Sequence, residues 1–254
     1  MIDLLVKSEG IVIRTTDYGE SDKIMTLFTK NYGKVGLIAK GVKKAKNSLT
    51  ATAHVLFRGL CFFNSGHGLG TLYQAESLNG YMAIRSDVTK MAYAALISEL
   101  TDRLMDDRRA APTVFDLLTG CLDRIEQGAD AAVIASLFSV KMMPFAGIAP
   151  QLECCVHCGN KAGPFTFSIA GGGLLCARCT PFDPHAIALK ASEVRLLYLL
   201  QCVPLSRVGN ISVRTATSDL IGRLIDACYE QNAGIQLRAR RFLQQLSHFE
   251  SDQP

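Results

Sequence analysis

Cys155 and Cys158, then seventeen intervening residues, then Cys176 and Cys179 form two matched Cys-x-x-Cys pairs. No other feature constrains the chain as strongly. Each Cys-x-x-Cys turn aims two thiolates at one point. A linker of this length can form a hairpin that brings the turns together, so that four sulfurs close a tetrahedron around Zn²⁺. Gly159, Gly163 and the run Gly171–Gly173 supply the tight bends such a knuckle needs. Four thiolates leave no position for an activated water, so the pattern predicts one structural zinc ion. A redox-active pair and a cluster that has lost its metal are the competing readings, and an iron–sulfur cluster is a weaker one. Cys154 and His157 are spare ligands that two matched pairs make unnecessary. The remaining cysteines (Cys61, Cys121, Cys202 and Cys228) stand singly among apolar neighbours, as small core residues do.

The charge is as unevenly distributed as the cysteines. The net charge is +4. Residues 1–80 carry ten Lys/Arg against six Asp/Glu, and residues 81–254 carry seventeen of each. From Lys23 to Ala75 there are eight basic residues and no carboxylate, where the chain-wide acid frequency would place about five. Such a stretch is either a solvated lysine face or a surface for a polyanion, of which nucleic acid is the commonest.

The same region reads as short strands. Ile11–Thr16, Ile24–Thr29, Lys34–Lys40, Ala53–Arg58, Leu60–Phe63 and Gly70–Ala75 are β-branched or alternating runs separated by glycine, asparagine and aspartate turns. Five or six strands in so short a length predict a small barrel, because closure removes exposed edges. Near Leu78 the period changes to that of helices. Ser86–Asp87 can cap the first of these, and Pro112 suits the opening turn of a second, with Val114, Phe115, Leu118, Cys121, Leu122 and Ile125 as its apolar stripe. A third, from about Asp130 to Phe145, is apolar nearly all round and reads as a central buried helix. Further helices are expected from Ser192, from Ser218 and over Ile235–Phe249. The fold class is therefore α+β and multi-domain. A barrel domain at 1–80 precedes a helical domain at 81–254, with the cysteine knuckle inserted at about 151–182.

Catalytic signatures are missing. Gly66–Gly70 has the wrong spacing for a dinucleotide loop, and Gly33–Lys34 lacks the flanking residues of a phosphate-binding loop. There is no metalloprotease motif, no nucleophile elbow and no acidic pair for metal-dependent nuclease work. His248–Glu250 imitates half of a zinc-deaminase signature in the wrong order. No small-molecule substrate is implied. The longest apolar stretch, around Ala131–Val140, is too short to cross a bilayer and is broken by Ser136 and Ser139. The first residues lack the basic lead of a signal peptide. No membrane association and a cytoplasmic location are expected.

Several of these segments resemble one family. Gly10–Lys44 carries the Asp17–Asp22 turn, Leu27-Phe28-Thr29, Gly33-Lys34 and Leu37-Ile38-Ala39-Lys40-Gly41. With Phe138–Gly147, the cysteine knuckle and Leu237–Leu243, this block is similar to the RecO family of bacterial DNA repair proteins. That family often has serine where Ala239 stands, and some members lack the cysteines. The resemblance implies an N-terminal OB-fold, a helical domain carrying the knuckle, and a nucleoid-associated recombination mediator. Such a mediator binds single- and double-stranded DNA, anneals complementary strands and, with RecR, helps RecA displace single-strand-binding protein.

Annealing needs no covalent chemistry: a basic surface neutralises two strands and base pairing decides the outcome. Arg14, Lys34, Lys40, Lys43 and Lys44 are the expected phosphate contacts, with Lys23 and Lys46 alongside. Lys34 and Lys40 share a strand face. Arg238, Arg240 and Arg241 either extend the track or form an exposed helix face. Tyr18 and Tyr32, in turns, either stack bases or cap the barrel. Two other readings compete with this one: an adaptor whose helical domain docks partners without direct DNA binding, and a nucleic-acid-modifying zinc enzyme.

Overall fold

The computed structural model describes residues 5–45, 47–64, 68–209, 211 and 213–251, with side chains through 246. Lys46, Gly66 and His67, and the side chains of His248, Phe249 and Glu250, lie outside the described residues. The chain divides into two compact units, Met1–Gln127 and Gly128–Pro254.

In the first unit, β1 (Leu5–Tyr18), β2 (Asp22–Thr29), β3 (Gly33–Ala39), β4 (Arg58–Asn64) and β5 (Gly70–Asn79) close a barrel in the order β1-β2-β3-β5-β4. β3 and β5 pair in parallel and the other neighbours antiparallel. This is a five-stranded OB barrel. Side-chain alternation builds it: Val35, Leu37 and Ala39 of β3 and Cys61 and Phe63 of β4 point inward to a common core with Val12, Met25 and Leu27. In β1 the alternation gives way to four consecutive buried residues, Gly10, Ile11, Val12 and Ile13. One face of that stretch lines the barrel, while helix α2 (Val88–Leu104) packs against β1.

The expected strand at Ala53–Arg58 is instead a turn, and β4 begins only at Arg58. Leu56 is fully buried with φ at 70°, a conformation that no strand accommodates. The segment is tied to β1 by Leu56 N–H donating to Val12 O at 2.8 Å and Val12 N–H donating to Phe57 O at 2.9 Å.

Two helices flank α2 in chain order, the single-turn α1 (Met82–Arg85) and the longer α3 (Pro112–Glu126). Asp87 caps α2 by accepting from Lys90 N–H at 3.0 Å, and Pro112 opens α3. The six apolar stripe residues of α3 are all buried, and Phe115 meets Phe28 of β2 with ring centroids 6.0 Å apart. Charge adds to the joint. Arg58 contacts Glu9 at 2.7 Å and Asp123 of α3 at 2.9 Å, and Lys30 contacts Asp116 of α3 at 2.8 Å. The change of period near residue 80 and the division at Gln127 therefore do not coincide: α1–α3 are helical by sequence but pack as part of the barrel unit.

The second unit is built on α4 (Ala131–Met142), capped by Asp130 accepting from Ala132 and Val133 N–H. Val133 through Val140 are all buried, as the all-round apolar pattern predicts. α5 (Ala191–Cys202) and α6 (Thr215–Ala233) pack on α4, and the Tyr229 hydroxyl of α6 donates to Ser139 O at 2.8 Å. The knuckle is a small sheet of β6 (Phe165–Ser168), β7 (Gly173–Cys176) and β8 (Ile187–Ala188), in the order β7-β6-β8. A last helix, α7 (Arg238–Ser251), buries Ala239 and Leu243. Among the described residues no helix is long and apolar enough to cross a membrane.

Candidate metal centre and nucleic-acid interface

The two Cys-x-x-Cys pairs converge. Gly159 N–H donates to Cys155 O at 2.9 Å and Cys179 N–H donates to Cys176 O at 2.8 Å, closing the two tight turns. β7 pairs with β6 so that Phe165 lies opposite Cys176. The sulfurs of Cys155, Cys158, Cys176 and Cys179 all lie within 4.8 Å of one another, and Cys158 Sγ is 3.7 Å from Cys176 Sγ. A tetrahedron with arms of about 2.3 Å has edges of about 3.8 Å, so the cage has the size of a four-thiolate metal site.

The electrostatics agree. Burial alone would raise the Cys155 thiol, but backbone N–H groups at Cys176, Cys158 and His157 aim at its sulfur and bring it down to about 6. Cys179 is pushed up to about 12, first by burial and then by the crowding thiols of Cys158, Cys176 and Cys155. Four sulfurs this close cannot all ionise without a cation among them. Three of the four are buried and Cys158 is exposed. His157 stacks on Phe182 at 4.1 Å, with its Nδ1 3.7 Å from Cys179 Sγ. Cys154 stays outside the cluster.

The basic candidates of the barrel separate into two groups. Lys34 belongs to the interior. Its side chain is only 11% exposed, and its ammonium lies 3.4 Å from Asp102 and 3.4 Å from Asp107. The expectation that Lys34 faces phosphate beside Lys40 is corrected here: two carboxylates from beyond the acid-free stretch already neutralise it. Lys30 and Arg58 are likewise paired with helix carboxylates. The apparent acid deficit of the sequence is thus filled in space by α2, α3 and the loop between them.

Lys23, Lys40, Lys43 and Lys44 gather instead at one end of the barrel, where the β1–β2 turn meets the chain leaving β3. Lys23 lies opposite Ala39 in the β2–β3 register, and its ammonium donates to Ala53 O at 3.3 Å. Lys43 N–H donates to Ser21 O at 3.0 Å, and its ammonium sits 3.0 Å from Asp17. Lys40 and Lys44 are exposed and have no ion-pair partner among the described residues. The anchor is Asp22, whose Oδ1 accepts from Gly41 N–H at 2.8 Å. That N–H, then the Ser21 hydroxyl, with Lys40 and Lys44 nearby, hold the Asp22 carboxyl below its ordinary 3.8. Sequence reading passed over Asp22, since an acid in a turn carries no signal of its hydrogen-bond partner. Arg14, farther along β1, is 64% exposed and touches Thr26 and Asp102.

Of the two turn tyrosines, Tyr18 is exposed, whereas Tyr32 packs edge-on against Phe63 with centroids 6.1 Å apart. Tyr32 caps the barrel. In the second unit Arg240 is also corrected. It is 12% exposed, lies 2.6 Å from Asp226 and ties α7 to α6. Arg238 and Arg241 are exposed, and Arg241 donates to Gln236 at 2.6 Å.

Two family descriptions match this architecture. "Recombination protein O N terminal" matches residues 1–81, and "Recombination protein O C terminal" matches residues 85–241. The chain belongs to the RecO family. It is 40% identical to the DNA repair protein RecO of Bacillus pumilus over 243 residues, covering 96% of this chain and 95% of that one. It is 40% identical to that of Halalkalibacterium halodurans over 240 residues, covering 94% of each. Against that of Bacillus subtilis it is 39% identical over 243 residues, covering 96% of this chain and 95% of the other. Membership of this family places the chain in DNA repair and recombination.

Proposed function

We propose that the chain is a non-enzymatic recombination mediator. It binds single- and double-stranded DNA through residues 1–80, anneals complementary strands, and acts with RecR to help RecA load on DNA coated with single-strand-binding protein. The observation that carries this reading is the end of the OB barrel where exposed Lys40 and Lys44, without an ion-pair partner among the described residues, stand beside Lys23 and Lys43. Phosphates of two strands brought to such a surface lose much of their mutual repulsion, and base pairing then selects the complement. Arg14, Lys40, Lys43 and Lys44 are the phosphate contacts in this reading, with Lys23 and Lys46 supporting them. Arg238 and Arg241 of the second unit are further phosphate contacts in this reading, while Lys34 and Arg240 hold the fold. Work of this kind fits cytoplasmic, nucleoid-associated DNA.

The four-cysteine cage is proposed to hold one Zn²⁺. When bound, zinc supplies neutralising charge to four thiolates and fixes the two turns of the knuckle. The residues themselves set the geometry: the backbone N–H groups around Cys155 favour its thiolate, and β6 and β7 hold the turns together.

The test is annealing of complementary oligonucleotides coated with single-strand-binding protein. The wild type is expected to accelerate it, and the K40Q/K43Q/K44Q variant to lose most of the acceleration. The adaptor reading draws on a 740 Å³ hollow of the second unit lined by Phe165, Leu189, Val194 and Tyr198. It predicts no retention of bare oligonucleotide in filter binding at moderate salt.

A further inference from the structure

The outer surface of β1, β4 and β5 carries side chains that the lysine end of the barrel does not explain. Lys7 of β1 lies opposite Phe62 of β4, and Phe62 lies opposite Gln74 of β5. One row across three strands therefore presents a cation, an aromatic ring and a primary amide. The Lys7 ammonium sits 4.8 Å from the centroid of the Phe62 ring.

Beside this row the β4–β5 ladder slips. Phe62 pairs with Gln74 but Phe63 pairs with Leu72, which leaves Tyr73 as an extra, unpaired residue. A bulge re-aims a side chain. Leu72 is buried in the barrel while both Tyr73 and Gln74 are exposed, and consecutive outward residues are impossible in a regular strand. Tyr73 is 56% exposed. Among the described residues neither its hydroxyl nor the Gln74 amide has a hydrogen-bond partner in the fold. Leu5, Phe62, Asn64, Tyr73 and Gln74 line a shallow concavity of about 360 Å³. The neighbouring acid of β1, Glu9, is engaged by Arg58, so Lys7 supplies the local charge of the row. Glu76 stands farther along β5, opposite Leu60.

We infer that this bulged row is a binding site for an unpaired base of a single-stranded nucleic acid, on a different face of the barrel from the lysine end. Tyr73 supplies the stacking surface, Gln74 meets the base edge, and Lys7, held over the Phe62 ring, meets the adjoining phosphate. The occupant follows from the chemistry: an exposed ring flanked by a free amide and a cation matches a planar, edge-polar ring carried on an anionic backbone. Duplex DNA is excluded, because its bases show no free π-face. The inference rests on the reading of the chain as a DNA-binding mediator and deepens it, since two separate tracks allow one barrel to hold two strands.

The experiment uses the intact protein and an oligothymidylate with one 2-aminopurine, with Tyr73→Ala, Tyr73→Phe, Gln74→Ala and K40Q/K43Q/K44Q compared in binding and fluorescence. Wild type is expected to quench the probe. Tyr73→Ala is expected to weaken single-strand binding about tenfold, as loss of one stacked base does, and to abolish part of the quench with duplex affinity and salt slope unchanged. Tyr73→Phe keeps the ring and should bind within about twofold of wild type. Gln74→Ala should show a smaller loss in the same direction. The lysine variant should flatten the salt slope yet still quench at saturation. Wild-type affinity and quenching in a folded Tyr73→Ala, or equal losses for duplex and single strand, overturn the inference and leave the mediator reading standing. No binding of either DNA by wild type overturns both.

Discussion

Lys34 and Asp102 form an ion pair across the barrel–helix joint, with the ammonium 3.4 Å from Oδ1 and the Lys34 side chain almost wholly covered. Asp107 closes the pair from the other side at 3.4 Å. Lys34→Met removes the covered ammonium and leaves Asp102 with Arg14, 3.3 Å away, as its remaining cation, so the first unit should lose only about 1 kcal/mol. Thermal melting checks this. Single-strand affinity at a temperature where the variant is folded should be unchanged, since Lys34 offers nothing to phosphate.

Asp22 anchors the lysine loop through Gly41 N–H, and that hydrogen bond favours its ionised form. A carboxyl depressed below 3.8 contributes its hold on the loop at higher pH and loses it only as pH falls through the depressed value. The Gly41 amide proton shift, followed by NMR, should therefore titrate with a midpoint below 3.8 and stop titrating in Asp22→Asn. A midpoint at or above 3.8 would show that the anchor is not made in solution.

Sequence patterns revealed what repeats locally and hid what depends on distant partners. The alternation of Val35, Leu37 and Ala39 and the stripe from Val114 to Ile125 were readable because each is a periodic signal of one element. The four-cysteine cage was readable because its spacing is itself the geometry. Lys34 was not, because its partners Asp102 and Asp107 lie some seventy residues away, beyond the acid-free stretch that made it look unpaired. Leu56 is hidden for a related reason: its β-branched and aromatic neighbours suit a strand, but its backbone is left-handed and hydrogen-bonded to Val12. Nor could the outward turn of Tyr73 be read, since a bulge is a property of the β4–β5 register.

The four-cysteine cage should carry one zinc per chain. Elemental analysis is expected to find it in wild type and in Cys154→Ser, and to find it lost in Cys155→Ser and Cys176→Ser. Chelation should lower the melting temperature of the second unit by several degrees, a loss of about 1–3 kcal/mol. Single-strand binding by the barrel should survive. Metal retained in Cys176→Ser would show that the cage is not the site.

Gly33 and Gly19 both sit in the left-handed region, at φ values of 66° and 58°, but only Gly33 is pressed against a neighbour. A Cβ there would overlap the backbone of Arg109, whereas at Gly19 no described residue lies within 4 Å. Gly19→Ala should cost about 1–2 kcal/mol from backbone strain alone. Gly33→Ala should cost more, about 3–4 kcal/mol, because the 106–109 loop must also move. Urea denaturation of the two variants side by side decides it, and equal losses would refute the close approach.

The salt dependence of single-strand binding tests the central claim most directly. The barrel's five phosphate contacts, by Lys7, Arg14, Lys40, Lys43 and Lys44, contribute about −3.5 to the slope of log affinity against log salt, and changing Lys40, Lys43 and Lys44 to glutamine should flatten that slope by about 2.1. An unchanged slope in the triple variant would contradict the account, because the lysines at the end of the barrel would then not be where DNA is held.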